Sequence, residues 1–126
     1  MTPNNLVNMA ARRVNIIAHN ETLSASELQD GLDNLNSMLS MYSMEPLLAE
    51  NGIVFPLAAD DYHTGMDDQV EYALVDLLAV RLAGVYQLPV APTIAMSAER
   101  AERNLKAWNI KPIYSKPDLV LRGLSR

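Results

Sequence analysis

The sequence predicts an all-α fold: a small four-helix bundle with a long irregular or β-hairpin arm between helices 2 and 3 and an extended C-terminal tail. Three observations carry this. Apolar residues recur at three- and four-residue spacing in four separate stretches. One stretch opens on a capping-box signature, Ser24 with Glu27 three residues later. Between the second and third stretches the pattern breaks at Pro46, Gly52, Pro56 and Gly65. A chain of 126 residues, 49% apolar, is sized for one domain with a core. We divide it into a helical unit over 1–108, with the arm at 43–66, and a partner-binding tail over 109–126.

The first helix is expected near 3–18, where Leu6, Met9, Ala10, Val14 and Ile17 share a face and Pro3 suits the first turn. The second is expected near 24–42. Leu28, Leu32, Leu35, Leu39 and Tyr42 form one narrow stripe there, with Asp30, Asp33, Asn34 and Ser37 off it. Gly31 lies inside this helix at a cost of about 1 kcal/mol relative to Ala. Two explanations stand: a tolerated accident, or a helix crossing too close for a methyl. The third helix, near 67–87, starts on Asp67 and Asp68, where the macrodipole favours acids. Its broader stripe of Val70, Ala73, Leu74, Leu77, Leu78, Leu82 and Val85 marks it as the central helix, packed on more than one neighbour. Thr93 is a candidate N-cap for a fourth helix near 93–108, where Ile94, Ala98, Ala101, Leu105 and Trp108 repeat the stripe spacing.

The 43–66 connection is long for so small a domain, and loops beyond about 12–15 residues are commonly functional or disordered. The run Ile53-Val54-Phe55 suggests a short strand within it. Beyond Trp108, Pro112 and Pro117 argue against a continuous helix. The tail offers Ile110, Ile113, Tyr114, Leu119, Leu121 and Leu124 with Arg122 and Arg126, an apolar and basic segment with little chain left to fold against. It is expected to be mobile in the free monomer and ordered on a partner.

Composition excludes several classes. With no Cys, the chain has no disulfide scaffold, thiol nucleophile or thiolate metal site. No apolar run reaches the length of a membrane span, and the opening Thr-Pro-Asn-Asn is unlike a signal peptide, so we read the chain as unprocessed and soluble with no membrane partner. The net charge of −5 hides a segregation. Residues 14–80 hold twelve acids and no Lys or Arg, whereas residues 81–126 hold eight bases against three acids. Such an acidic block repels phosphates, which argues against DNA readout. It is either solvated helix surface or a face complementary to basic surface on another copy or a partner.

His63 lies near Asp60, Asp61, Asp67, Asp68 and Glu71, but their spacing lacks the alternating ligands and closing Glu of a calcium loop. His19 is expected to meet the last carbonyls of the first helix. The chain has no nucleophile elbow, phosphate-binding glycine loop or His-Glu-x-x-His motif. We expect no catalysis, no cofactor and no metal. A small hydrolase built on the acidic His63 loop is the remote enzymatic alternative.

Three segments taken together carry a family resemblance: LVNMAARRVNII from Leu6, ELQDGLDNLNSMLSMY from Glu27, and YALVDLLAVRLAGVYQLPVAPT from Tyr72. Thr22, Leu23 and Glu27 match a T-L-x-x-x-E link, and Asp30, Leu32, Leu35, Met38 and Leu39 match D-x-L-x-x-L-x-x-M-L. Ala73, Leu74, Leu78, Ala79, Arg81, Leu82, Ala83 and Tyr86 match A-L-x-x-x-L-A-x-R-L-A-x-x-Y-G, with Gln87 in place of the final Gly. Over roughly residues 5–108 the chain resembles the head-to-tail adaptors, or tail accessory factors, of short-tailed double-stranded DNA phages. Tyr42 stands where that family commonly has Trp.

The resemblance implies a structural virion protein at the head-tail junction, assembled in the host cytoplasm. It would form a homo-oligomeric ring, commonly a dodecamer, beneath the phage portal protein. The ring would extend the DNA ejection channel without specific DNA binding and present a surface to a downstream nozzle or hub protein. On this expectation Ile110, Ile113, Tyr114, Leu119, Leu121, Arg122, Leu124 and Arg126 bind the portal. Asp60, Asp61, Asp67 and Asp68 form an acidic arm facing the channel or the tail, and Arg81, Arg100, Arg103 and Lys106 lie between subunits; for Arg81 two readings stand, an ion pair within or between subunits and a side chain that snorkels to the surface. The competing class is a free-standing helical interaction module, such as a regulator or assembly chaperone.

Overall fold

The computed structural model describes residues 1–44, 46, 49, 52, 54–58 and 66–115, with side chains as far as Ala107. Four helices are ordered along it: α1 Pro3–Arg13, α2 Ala25–Met41, α3 Asp68–Val85 and α4 Pro92–Ser115. Among the described residues there is no strand. Val54 and Phe55, from the run read as β-like, are not in a strand.

Most of the apolar periodicity becomes core, but Met9, Ile17, Leu28, Tyr42, Leu77 and Ile94 are only partly buried against it, and Val85, at the last position of α3, is exposed. Leu6, Val7, Ala10 and Ala11 of α1, Leu32, Leu35, Met38 and Leu39 of α2, and Ala101 and Leu105 of α4 are all buried. Leu74, Leu78, Ala79, Leu82 and Ala83 bring α3 into the same cluster. α3 is the central helix: α1, α2 and α4 all pack on it, and α1 also packs on α2. Burying each large side chain contributes about 1.5–3 kcal/mol.

Two ion pairs tie α1 to α3. The Met1 ammonium lies 2.9 Å from the Glu71 carboxylate, which is 1% exposed. At the other end of α1, Arg13 pairs with Asp76. A charge taken from water at this depth is tolerated because it is paired.

Helix starts fall within a residue or two of those expected, although Thr93 lies inside α4 rather than at its cap, and the Ala91 carbonyl accepts the first bonds of that helix. Ser24 caps α2, its hydroxyl accepting from the Glu27 amide while the Glu27 side chain accepts from the Ser24 amide, the full capping box. The bond from the Ser24 amide, with a smaller contribution from the Ser24 side chain, holds the Glu27 carboxyl below its ordinary pKa. Asp67 precedes α3 without a side-chain cap bond. Thr2 caps α1 by accepting from the Asn5 amide.

The ends of α2 and α3 fall within two residues of expectation, whereas those of α1 and α4 differ from it. α1 stops at Arg13 rather than near 18 because Asn15 takes a left-handed conformation, φ 61°. Asn15 N–H donates to the Arg12 carbonyl and Ile16 N–H to the Ala11 carbonyl, the paired bonds of a Schellman stop. Ser43, φ 56°, closes α2 in the same way, and Gln87, φ 56°, closes α3. His19 is exposed and lies beyond this stop, so it does not meet the last carbonyls of α1. α4 continues to Ser115, across Pro112, where a helix ending at 108 and an extended tail were expected. A proline inside a helix forfeits one amide donor and costs about 3 kcal/mol, which weakens the helix without obliging it to end. Residues 116–126 lie outside the described residues, as do most of the arm and its acidic tip.

The described part of the arm nearest α3 lies against the bundle. Leu57 is buried, its amide donating to Asn36 Oδ1 at 2.8 Å and its carbonyl accepting from Asn36 Nδ2 at 2.9 Å. The loop after α1 is held similarly. Buried Asn8 accepts from the Leu23 amide at 2.9 Å, and the Arg12 guanidinium donates twice to the Glu21 carbonyl.

Gly31 marks a close crossing. A methyl there would overlap a γ-methyl of fully buried Val7 on α1, so the close-approach explanation holds. Gly31→Ala should therefore destabilise the fold by about 1–3 kcal/mol in urea unfolding. In the Val7→Ala background the same change should cost distinctly less, and equal costs in both backgrounds would place the glycine's role elsewhere. At the end of α3, Gln87 bears a left-handed conformation that Gly adopts freely. Gln87→Gly should raise stability by up to about 1 kcal/mol, read as a higher midpoint with an unchanged denaturant slope.

Candidate functional site

Between α3 and α4 lies a groove of about 480 Å³. Its origin is in two small residues: Ala73 and Ala101 are buried at its floor and fill little of the space between the helices. Gln69, Tyr72 and Asp76 line it from α3, and Ser97, Arg100 and Asn104 from α4. Each set repeats at three to four residues, so each is one side of its helix. The lining thus offers a phenol, a guanidinium, two amides, a hydroxyl and a carboxylate. Asp76 is neutralised by Arg13, which leaves Arg100 to set the sign of the site. Tyr72 is 55% exposed, and Met96, on the outer side of α4, is 61% exposed.

On another side of α3 a polar cluster joins three helices. Arg81 Nε donates to Asn34 Oδ1 of α2 at 3.0 Å. The Tyr42 hydroxyl, at the end of α2, donates to Glu102 Oε2 of α4 at 2.8 Å. Burial, the Glu102 hydrogen bond and the Glu102 charge push the Tyr42 phenol up to about 12, against the opposing charge of Arg81. Burial, with smaller contributions from Glu27 and Asp30, also raises the Tyr86 phenol, which places the end of α3 beside the start of α2. The two helices are therefore antiparallel.

The expected site residues are distributed as follows. Arg100, Arg103 and Lys106 are exposed on α4, with Arg100 in the groove wall. Arg81 is half-buried and its Nε donates to a neutral amide, Asn34, of its own chain; among the described residues it makes no ion pair within that chain. Asp67 and Asp68 are exposed at the start of α3, whereas Asp60, Asp61 and His63 lie outside the described residues. Ile110, Ile113 and Tyr114 fall on the final turns of α4, and Leu119, Leu121, Arg122, Leu124 and Arg126 lie outside the described residues.

Sequence reasoning missed Tyr72, Met96, Asn34 and Glu102. The signal for the groove was present as Ala73 and Ala101, each flanked by polar residues one turn away on the same face. Among the described residues no three His, Asp or Glu side chains gather as a metal site. No described helix is long and apolar enough to cross a membrane. A scan against protein-family models finds no match, and a search of curated proteins finds no significant one.

The Tyr42 contact has a pH signature. Its pKa is near 10 when unfolded and about 12 in the fold, so the folded chain holds the proton more tightly across that interval. The stabilisation is complete below about pH 10 and is lost as pH rises through the folded value. Unfolding free energy should fall more steeply from about pH 10 to about pH 12 in the native chain than in Tyr42→Phe, and parallel slopes would show that Tyr42 titrates as an exposed phenol.

Proposed function

We propose that this chain is a structural, non-enzymatic adaptor that assembles as a ring beneath a phage portal, extends the DNA channel and carries the next tail protein. The observation that carries this reading is the order of the three resembling segments together with their placement. They supply α1, α2 and α3, the three helices that pack on one another around the core. The matched positions divide by burial as a structural motif should. Leu32, Leu35, Met38 and Leu39 of the second segment and Ala73, Leu74, Leu78, Ala79, Leu82 and Ala83 of the third are buried. Arg81, matched but polar, ties α3 to α2.

In this reading the channel is lined by acidic surface. Each Lys or Arg facing the lumen would add a salt-sensitive phosphate contact to break as the genome slides past, and residues 14–80 contain none. Asp67 and Asp68, with Asp60 and Asp61 preceding them in sequence, repeat around the ring at one height so that their fields sum. Arg100, Arg103 and Lys106 face neighbouring subunits, and the apolar, basic C-terminal segment engages the portal.

The test is mass measurement of the purified chain with and without portal rings. Defined stoichiometric binding, near twelve copies per portal, supports the adaptor; no binding leaves the free-standing interaction module. Deleting residues Ser115 to Arg126 should abolish portal binding while the thermal midpoint stays nearly unchanged, because every buried core position identified above precedes the deletion. Undiminished binding after that deletion would remove the tail from the mechanism.

A further inference from the structure

The groove between α3 and α4 and the outer side of α2 are complementary surfaces on one molecule. Asp30, Asp33, Ser37 and Ser40 are all exposed and recur at three to four residues, so they form one ridge along α2, with exposed Gln29 one turn before Asp33 at its edge. The ridge carries two carboxylates, no base and small hydroxyl side chains. Gln29 Nε2 donates to Asp33 Oδ1 at 3.0 Å, which fixes one of the acids in place. Across from this chemistry stand Arg100 in the groove wall and Arg103 and Lys106 along the same outer side of α4, all exposed. Glu99 offsets part of that charge, while Glu102 is held by Tyr42. Exposed Tyr72 and Met96 border the basic residues, and Tyr, Met and Arg are the side chains enriched in protein interfaces. Asp30 and Asp33 are three residues apart, as are Arg100 and Arg103, so the two charge pairs match in spacing.

The two surfaces do not meet within one copy. Asp76 lies in the groove, and Arg81, five residues later, reaches α2. Five residues turn about 140° around a helix, so α2 and the groove lie on different sides of α3. A contact between them joins two molecules through unlike patches. Contacts of that kind are heterologous, and they close into rings or run on as filaments.

We propose that the α2 ridge of one copy seats in the α3/α4 groove of the next, with Asp30 and Asp33 facing Arg100 and Arg103. The contact gives the adaptor reading its subunit interface and rests on that reading for closure into a ring; the pairing of surfaces stands on the charges and shapes above.

The experiment compares wild type with two charge-reversed variants, Asp30→Lys/Asp33→Lys and Arg100→Glu/Arg103→Glu, by sedimentation equilibrium. All four positions are exposed, and circular dichroism checks that each variant is folded. Wild type should self-associate, roughly tenfold more weakly at about 500 mM than at about 50 mM salt. Each variant alone should be monomeric where wild type associates. Their equimolar mixture should regain association, because every reversed ridge then finds a reversed groove. Where a reversal prevents folding, Asp30→Asn/Asp33→Asn and Arg100→Gln/Arg103→Gln take its place, each expected to weaken association roughly tenfold. A wild-type monomer at about 1 mM and low salt, association that survives both reversals, or no recovery on mixing would overturn the proposal. Portal binding separates the two ideas: rings that form on portals despite the reversals retain the adaptor and discard this interface. Self-association with the predicted charge dependence but no portal binding does the opposite.

Discussion

Burial of α3 on three sides sets the terms for the rest of the molecule. Its buried positions, from Val70 to Ala83, occupy more than one stripe, and a helix apolar on most of its circumference has to be enclosed. Each of its three neighbours then needs only one apolar face, which is what their sequences supply. The charged residues of α3 turn this loose requirement into a specific one. Glu71, Asp76 and Arg81 are spaced by five residues and point in different directions, and each finds a different partner: the Met1 ammonium, Arg13 of α1 and Asn34 of α2. A hydrophobic surface tolerates sliding and rotation, whereas a desolvated charge left without its partner is costly. The apolar face therefore supplies most of the stabilisation and the charges supply register.

The same division of labour holds between helices and connections. Asn8 and Asn36 project from helices to bind the backbones of Leu23 and Leu57, so each connection is pinned by a side chain of a preceding helix. With both amide groups of Asn36 used on one residue, the chain is fixed there without any strand. The helix pair α3 and α4 and the outer side of α2 consequently present surfaces whose side chains stand on packed elements, which hold a binding geometry more closely than loops do.

Much of this was legible in the sequence, and the failures have identifiable causes. The stripes of α2 and α4 and the multi-sided burial of α3 follow from spacing alone, and the Ser24 cap from one tetrapeptide. The end of α1 was misread because Asn15 makes the stop in a conformation usually signalled by glycine, whereas the ends of α2 and α3, at Ser43 and Gln87, fell within two residues of those expected. Asn is the usual alternative to glycine at such a stop, so Asn15 was a readable signal that was passed over. Gly31 was ambiguous because its reason, Val7, lies on another helix. The Pro112 reading erred by treating a cost of a few kcal/mol as a prohibition. For the candidate site, the charge map was visible, but the cancellation of Asp76 by Arg13 was not, since their pairing depends on how α1 docks. The groove was hidden because two alanines 28 positions apart look like ordinary core.

Segregated charge along a chain does not by itself produce segregated surfaces; the fold decides that. In a bundle each helix is a continuous stretch of sequence, so a block of one sign becomes a helix face of one sign. Here two acids of the 14–80 block are consumed internally, Glu71 by the Met1 ammonium and Asp76 by Arg13. Asp30 and Asp33 remain outward on α2, and Arg100, Arg103 and Lys106 outward on α4. Packed helix axes lie about 8–10 Å apart, so outer faces on different sides of a helix pair are separated by more than the Debye length of about 8 Å at physiological salt. At that range the opposite faces of one molecule neutralise each other weakly. In the proposed contact between copies the same charges would come within hydrogen-bond reach, an electrostatic asymmetry that favours association through unlike faces over any arrangement that sets like faces together.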